Sequence, residues 1–88
     1  MDINQAEIIK ALRERGATVC VLSGVGMGIP DLIVGHRGKN YLMEIKNPKT
    51  KGKLTQRQIR WKEEWQGGAY HIVETAAEAC FVIGAIPW

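Results

Sequence analysis

At 88 residues, 45% hydrophobic and 24% charged with three prolines, the chain excludes disordered and collagen-like classes. Its length suits one small domain, 1–88, with a single sheet and two or three helices. The net charge of +3 is modest but unevenly placed. Lys46, Lys49, Lys51, Lys53, Arg57, Arg60 and Lys62 fall within seventeen residues that hold no acid.

In chain order, Ile3–Arg15 reads as an amphipathic helix with Ile8, Ile9 and Leu12 on one face and Gly16 closing it. Thr18–Leu22 is a short β-branched strand, and Ser23–Ile29, with three glycines, is a tight loop leading to Pro30. Asp31–Gly35 is a strand, His36–Asn40 a turn carrying Gly38, and Tyr41–Lys46 the returning strand. Asn47–Lys53 is a basic loop. A second helix opens at Thr55, where Thr55-x-x-Gln58 has capping-box form, and ends before Gly67-Gly68. Ala69–Val73 is a strand, and Thr75-x-x-Glu78 starts a last helix that stops near Gly84. The order αβββαβα, with a hairpin joined to helix-linked strands, predicts an α/β chain with an α+β mixed sheet and helices packed on it.

The chemistry centres on Asp31, after Pro30, and Glu44, thirteen positions on and two before Lys46. Side chains alternate across a strand, so Glu44 and Lys46 share a face. Two carboxylates and an ammonium converging on one sheet edge make a hard-cation site with a proton-transfer group beside it. Alone, Asp31 reads as a turn acid and Glu44 as a surface acid; with Lys46 between paired strands they read as a site. Mg²⁺ takes one or two carboxylates and keeps waters, which suits this pair, and the Ile45 carbonyl offers a further ligand. Lys46 either orients or deprotonates an attacking water or steadies phosphate charge, alongside a salt bridge to Glu44. A cationic segment directly after such a site is what a phosphodiester substrate requires, although a charge run by itself reads as a solvated face.

Helical phase adds two amides. Gln58 shares a face with Leu54, Trp61 and Trp65, so it serves as the N3 capping residue, as a site residue, or both. Gln5 stands on the face of Ile8, Ile9 and Leu12, so it is expected to face the metal site and serve it from the first helix, its amide oxygen able to bind the ion or its water, whereas Glu7 points to the flank. Trp61 and Trp65 are expected in the core or a dimer interface, and Trp88 at a subunit boundary. His36 and His71 are expected to be structural. Cys20 and Cys80, in apolar segments at unrelated spacing, are expected to be buried reduced thiols, which suits the cytoplasm. The Gly24-x-Gly26-x-Gly28 run leads into Pro-Asp and a strand rather than a helix, so it is no dinucleotide fingerprint. Ala76–Ile86 is too short to span a bilayer.

Pro30-Asp31 followed by Glu44-Ile45-Lys46 resembles the PD-(D/E)xK nuclease signature. With Ser23-x-x-Gly26-x-Gly28 before it and Leu54-Thr55-x-x-Gln58-x-x-Trp61 after it, the pattern is similar to the VRR-NUC family, the virus-type replication-repair nucleases. The resemblance runs from the first helix almost to the C-terminus, as in free-standing phage and prophage members. It implies a restriction-endonuclease-like αβββαβα core and a metal-dependent DNA endonuclease, with stand-alone members similar to Holliday-junction resolvases that act as homodimers. By resemblance, Asp31 and Glu44 bind the metal, Lys46 serves catalysis and Gln58 supports the site. Where the family often carries a first-helix glutamate, this chain has Gln5, and two carboxylates rather than three favour one tight ion over two.

The reading is a Mg²⁺- or Mn²⁺-dependent endonuclease, a homodimer on branched DNA in a bacterial or phage-infected cytoplasm, with no membrane partner. Lys49, Lys51, Lys53 and Arg57 hold the DNA backbone, and recognition is by shape and charge. The alternative is a non-catalytic nucleic-acid-binding module on the same fold, which would not require Asp31, Glu44 and Lys46 together.

Overall fold

Ile8, Ile9, Ala11 and Leu12 recur at helical spacing and are buried along α1 (Ile3–Glu14). Gly16, in the left-handed conformation at φ 87, follows its end. The structure, a computed structural model, describes residues 3–47 and 53–85. After α1 come β1 (Thr18–Val21), β2 (Leu32–His36), β3 (Lys39–Ile45), α2 (Gln56–Glu64), β4 (Tyr70–Val73) and α3 (Ala76–Val82). The expected αβββαβα order is observed. The sheet runs β1-β2-β3-β4, with the first two pairings antiparallel and β3–β4 parallel, so it is mixed.

The β2–β3 turn is tighter than the sequence suggests. Arg37 and Gly38 both take positive φ, 51 and 79, which lets two residues connect strands of natural twist. The strands therefore extend into the expected His36–Asn40 turn. His36 belongs to β2, is buried, and sets its Nδ1 3.2 Å from the Ile83 carbonyl oxygen. His71 is half-buried, its ring 6.3 Å from that of Tyr41.

Strand alternation divides the sheet into two faces. Leu32, Val34, Met43, Ile45 and Val73 turn to one side and bury against Ile8 and Leu12 of α1 and Ala79 and Cys80 of α3. Leu42, Glu44 and Tyr70 turn to the other, where α2 lies. Cys20 pairs with Ile33 on this second face and is exposed rather than buried; Cys80 is buried, and both thiols are free. Neither Trp61 nor Trp65 is core, because α2 buries none of its residues. Their rings stack on each other at 4.9 Å.

Lys49, Lys51 and Trp88 lie outside the described residues. Among the described residues no helix is long and apolar enough to cross a membrane.

With little burial to hold it, α2 is located by backbone contact. A Cβ on Gly28 would meet the Arg57 carbonyl oxygen at 2.5 Å, and Gly28 has φ +79. Gly26 has the same φ with open space around its Cα. Gly26→Ala should therefore cost only the left-handed strain, about 1–2 kcal/mol. Gly28→Ala should cost clearly more, because the first turn of α2 must also move. Urea unfolding of the two variants checks this; equal losses would remove the Gly28 contact as the anchor of α2.

Candidate active site

Asp31 stands just before β2, one position beyond the last β2–β3 pair, Leu32↔Met43. Its backbone carbonyl accepts from the Leu22 N–H at 2.7 Å. Its carboxylate takes the place of the next strand partner: Oδ2 accepts from the Ile45 N–H at 2.8 Å. Oδ1 accepts from the Ser23 hydroxyl at 3.1 Å, and Ser23 Oγ accepts from Gln5 Nε2 at 2.7 Å. Gln5 is buried and faces inward, as its helical phase requires, while Glu7 is exposed. The structure thus places Gln5 one hydroxyl away from Asp31.

Glu44 is only 2% exposed, under the start of α2. Gln58 Nε2 donates to its Oε2 at 2.9 Å, and Lys46 Nζ lies 3.6 Å from the same oxygen. Gln58 Oε1 accepts from Lys46 Nζ at 3.0 Å and from the Thr55 N–H at 2.8 Å. The Gln58 N–H bonds Thr55 Oγ1 at 3.2 Å, which completes the capping box. Capping and site contact are the work of one side chain.

Burial first, then the neighbouring charge of Asp31, pushes the Glu44 carboxyl up to about 7, against the opposing pull of Lys46. Its Oε1 is buried without a partner among the described residues. Two neighbouring carboxylates are a donor set suited to a hard dication. No group of three or more His, Cys, Asp or Glu side chains gathers among the described residues. Other ligands would then be water or backbone carbonyl, as Mg²⁺ accepts.

Asp31, Glu44, Lys46, Gln58 and, through Ser23, Gln5 are brought together. Lys53 and Arg57 are exposed, and Arg57 adjoins Gln58 on the first turn of α2. Three polar groups carry no role in the sequence reading. Ser23 appears there only within the family pattern, and Tyr70, buried at its hydroxyl, only as part of a strand. Asn4, whose Nδ2 donates to the Lys46 carbonyl at 3.3 Å, is a third. Ser23 alone had a signal, its place at the head of the glycine loop.

This mixed sheet with a carboxylate pair and a lysine at one end can be set beside known proteins. No family model and no curated protein matches the chain. A solved structure described as "VRR_NUC domain" shares its fold, with a TM-score of 0.67 and 24% identity, over 94% of this chain and 97% of that one.

The Glu44 shift has a sign that can be measured. The folded carboxyl binds its proton more tightly than the unfolded one, so this group favours the fold fully below about pH 4.5. That contribution is lost as pH rises through about 7. In EDTA, Glu44→Gln should match wild type near pH 4.5 and exceed it at pH 8 by on the order of 2–3 kcal/mol. Divalent metal should raise the wild-type Tm at pH 8 and leave that of Glu44→Gln nearly unmoved. Denaturant melts across pH check both; parallel pH profiles for the two proteins would refute the shift.

Proposed function

We propose that this chain is a nuclease, a single domain that hydrolyses DNA phosphodiester bonds with the help of Mg²⁺ or Mn²⁺. The observation that carries the reading is the meeting of Asp31, Glu44 and Lys46 under Gln58, in a fold shared with a VRR_NUC domain. Asp31 and Glu44 would hold the ion. The Ile45 carbonyl is the backbone ligand, since strand geometry turns it to the side of its N–H, toward Asp31. A bound divalent ion supplies Lewis-acid charge and a water of lowered pKa.

The protein's own groups do the rest. Ser23 and the Ile45 N–H fix the Asp31 carboxylate from two directions. Gln58 holds Lys46 Nζ beside Glu44, where the ammonium offsets phosphate charge and orients the attacking water. Gln5 sets the Ser23 hydroxyl and so acts on Asp31 at one remove. Lys53 and Arg57, exposed beside the site, hold the DNA backbone together with Lys49 and Lys51. The free thiols support a reducing, cytoplasmic setting.

Asp31→Asn, Glu44→Gln and Lys46→Ala should each lower cleavage on the order of a thousandfold, about 4 kcal/mol, and leave DNA binding intact. Lys53→Ala with Arg57→Ala should instead weaken binding to all sequences and flatten the log-affinity versus log-salt slope by about two units. Four-way junction, flap and linear duplex DNA, each with Mg²⁺, Mn²⁺ or EDTA, are the substrates for these assays. Binding without metal-dependent cleavage on any of them would leave only the binding-module alternative.

The enzyme acts as a homodimer on branched DNA. Toward the hairpin end of the α2 face, a groove lined by Ile33, Leu42, Trp65 and Ala69 leaves Ile33 39% and Trp65 42% exposed. That apolar surface supports a two-fold contact that would present two sites to one junction. Light scattering at micromolar concentration should give a dimer mass, and Ile33→Asp should halve it. A wild-type monomer that still cuts junctions would refute the dimer.

A further inference from the structure

Tyrosine hydroxyls that are buried usually find a partner. The Tyr70 hydroxyl is buried and has none among the described residues. Glu44 Oε1 is in the same condition. One is a donor and the other an acceptor, and the fold puts them under the same roof.

Tyr70 pairs in register with Leu42, and Glu44 is two residues further along the same face of the neighbouring strand. With strands about 4.8 Å apart and a rise of about 3.3 Å per residue, such diagonal positions are roughly 8 Å apart at Cα, within reach of a tyrosine side chain. The covering helix follows the same diagonal. Gln58 sits on Glu44, and Trp61, one turn on, sits on Tyr70 with ring centroids 6.1 Å apart. Lys62 Nζ lies 5.5 Å from the centre of the Tyr70 ring. A phenol is protonated at neutral pH and can offer its hydrogen toward the carboxylates.

A buried donor and a buried acceptor on diagonal positions of adjacent strands, neither partnered among the described residues, are the two ends that a bound water can satisfy. We propose that the Tyr70 hydroxyl and Glu44 Oε1 form a seat for one water molecule in the shell of the ion held by Asp31 and Glu44. The water donates to Glu44 Oε1 and accepts from the Tyr70 hydroxyl, which fixes its orientation over the sheet. Tyr70 thereby joins the site from β4, a strand that otherwise contributes only backbone pairing to it. The inference rests on the metal-dependent reading above and adds to it a residue that holds water.

Tyr70→Phe removes the hydroxyl and keeps the ring against Trp61. In EDTA its Tm should equal or slightly exceed that of wild type, because an unpartnered buried hydroxyl is lost. Its Mn²⁺ affinity by calorimetry should fall about tenfold. Its kcat on junction DNA should drop by roughly ten- to a hundredfold with KM little changed. The wild type offers an independent test, since it holds only two tyrosines, Tyr41 and Tyr70. With tyrosine labelled at Cζ, Mg²⁺ should move the Tyr70 resonance and leave that of Tyr41 in place. Unchanged Mn²⁺ affinity in the variant, or an unmoved Tyr70 resonance, overturns the seat. A wild type that binds Mg²⁺ and shifts Tyr70 but cuts no DNA overturns the nuclease reading and leaves the seat standing.

Discussion

The amide of Gln58 joins three parts of the molecule. Its oxygen accepts from the Thr55 N–H and from Lys46 Nζ, and its nitrogen donates to Glu44. The orientation is forced: reversed, the amide would aim its hydrogens at two donors and its oxygen at a carboxylate. A helix N-terminus, a lysine and a buried acid are therefore set by one planar group. This matters because α2 has no buried residue of its own and no apolar face sunk in a core to hold it. The helix stays in place through its cap, the close approach at Gly28 and the stacked tryptophans over Tyr70.

Strand β3 carries the opposite economy. Met43 and Ile45 fill the apolar layer beneath α1 and α3, and Glu44 between them turns to the polar layer. A slip of one residue would bury a carboxylate among Ile8 and Leu12 and expose Met43, so packing and chemistry demand the same register. The burial that raises the Glu44 carboxyl is the cost of seating an acid inside a layer this thin. Lys46 at 3.6 Å offsets only part of it, and a second positive charge is what the pocket favours.

Much of this was legible before the fold was known, wherever a short-range rule applied. Period-two alternation put Glu44 and Lys46 on one face, and period 3.6 turned Gln5 inward and Glu7 outward. Thr55-x-x-Gln58 announced its own capping box. What escaped was long-range or steric. The partner of His36 is a carbonyl 47 residues away, which no local pattern contains. Cys20 sits in an apolar strand, but it lies on β1, the edge strand of the sheet, and is exposed there. The turn at Arg37-Gly38 closed early because an arginine accepted positive φ, a position usually filled by Asn, Asp or Gly. The bond of Ser23 to Asp31, and the place of Tyr70 diagonal to Glu44 on the neighbouring strand, became visible only once the strands had paired.

Asp31 bonds the Ile45 N–H where a backbone carbonyl would otherwise sit, so one peptide proton at the end of β3 depends on the state of a side chain. Backbone protons in a sheet are ordinarily shielded from solvent exchange by the cooperative ladder as a whole. This one is shielded by a carboxylate that can be recruited by a ligand or removed by substitution while the ladder stays closed. The Ile45 amide is thus a natural spectroscopic gauge of the site, readable by exchange rate and chemical shift in the unlabelled resting protein, with no substrate and no turnover.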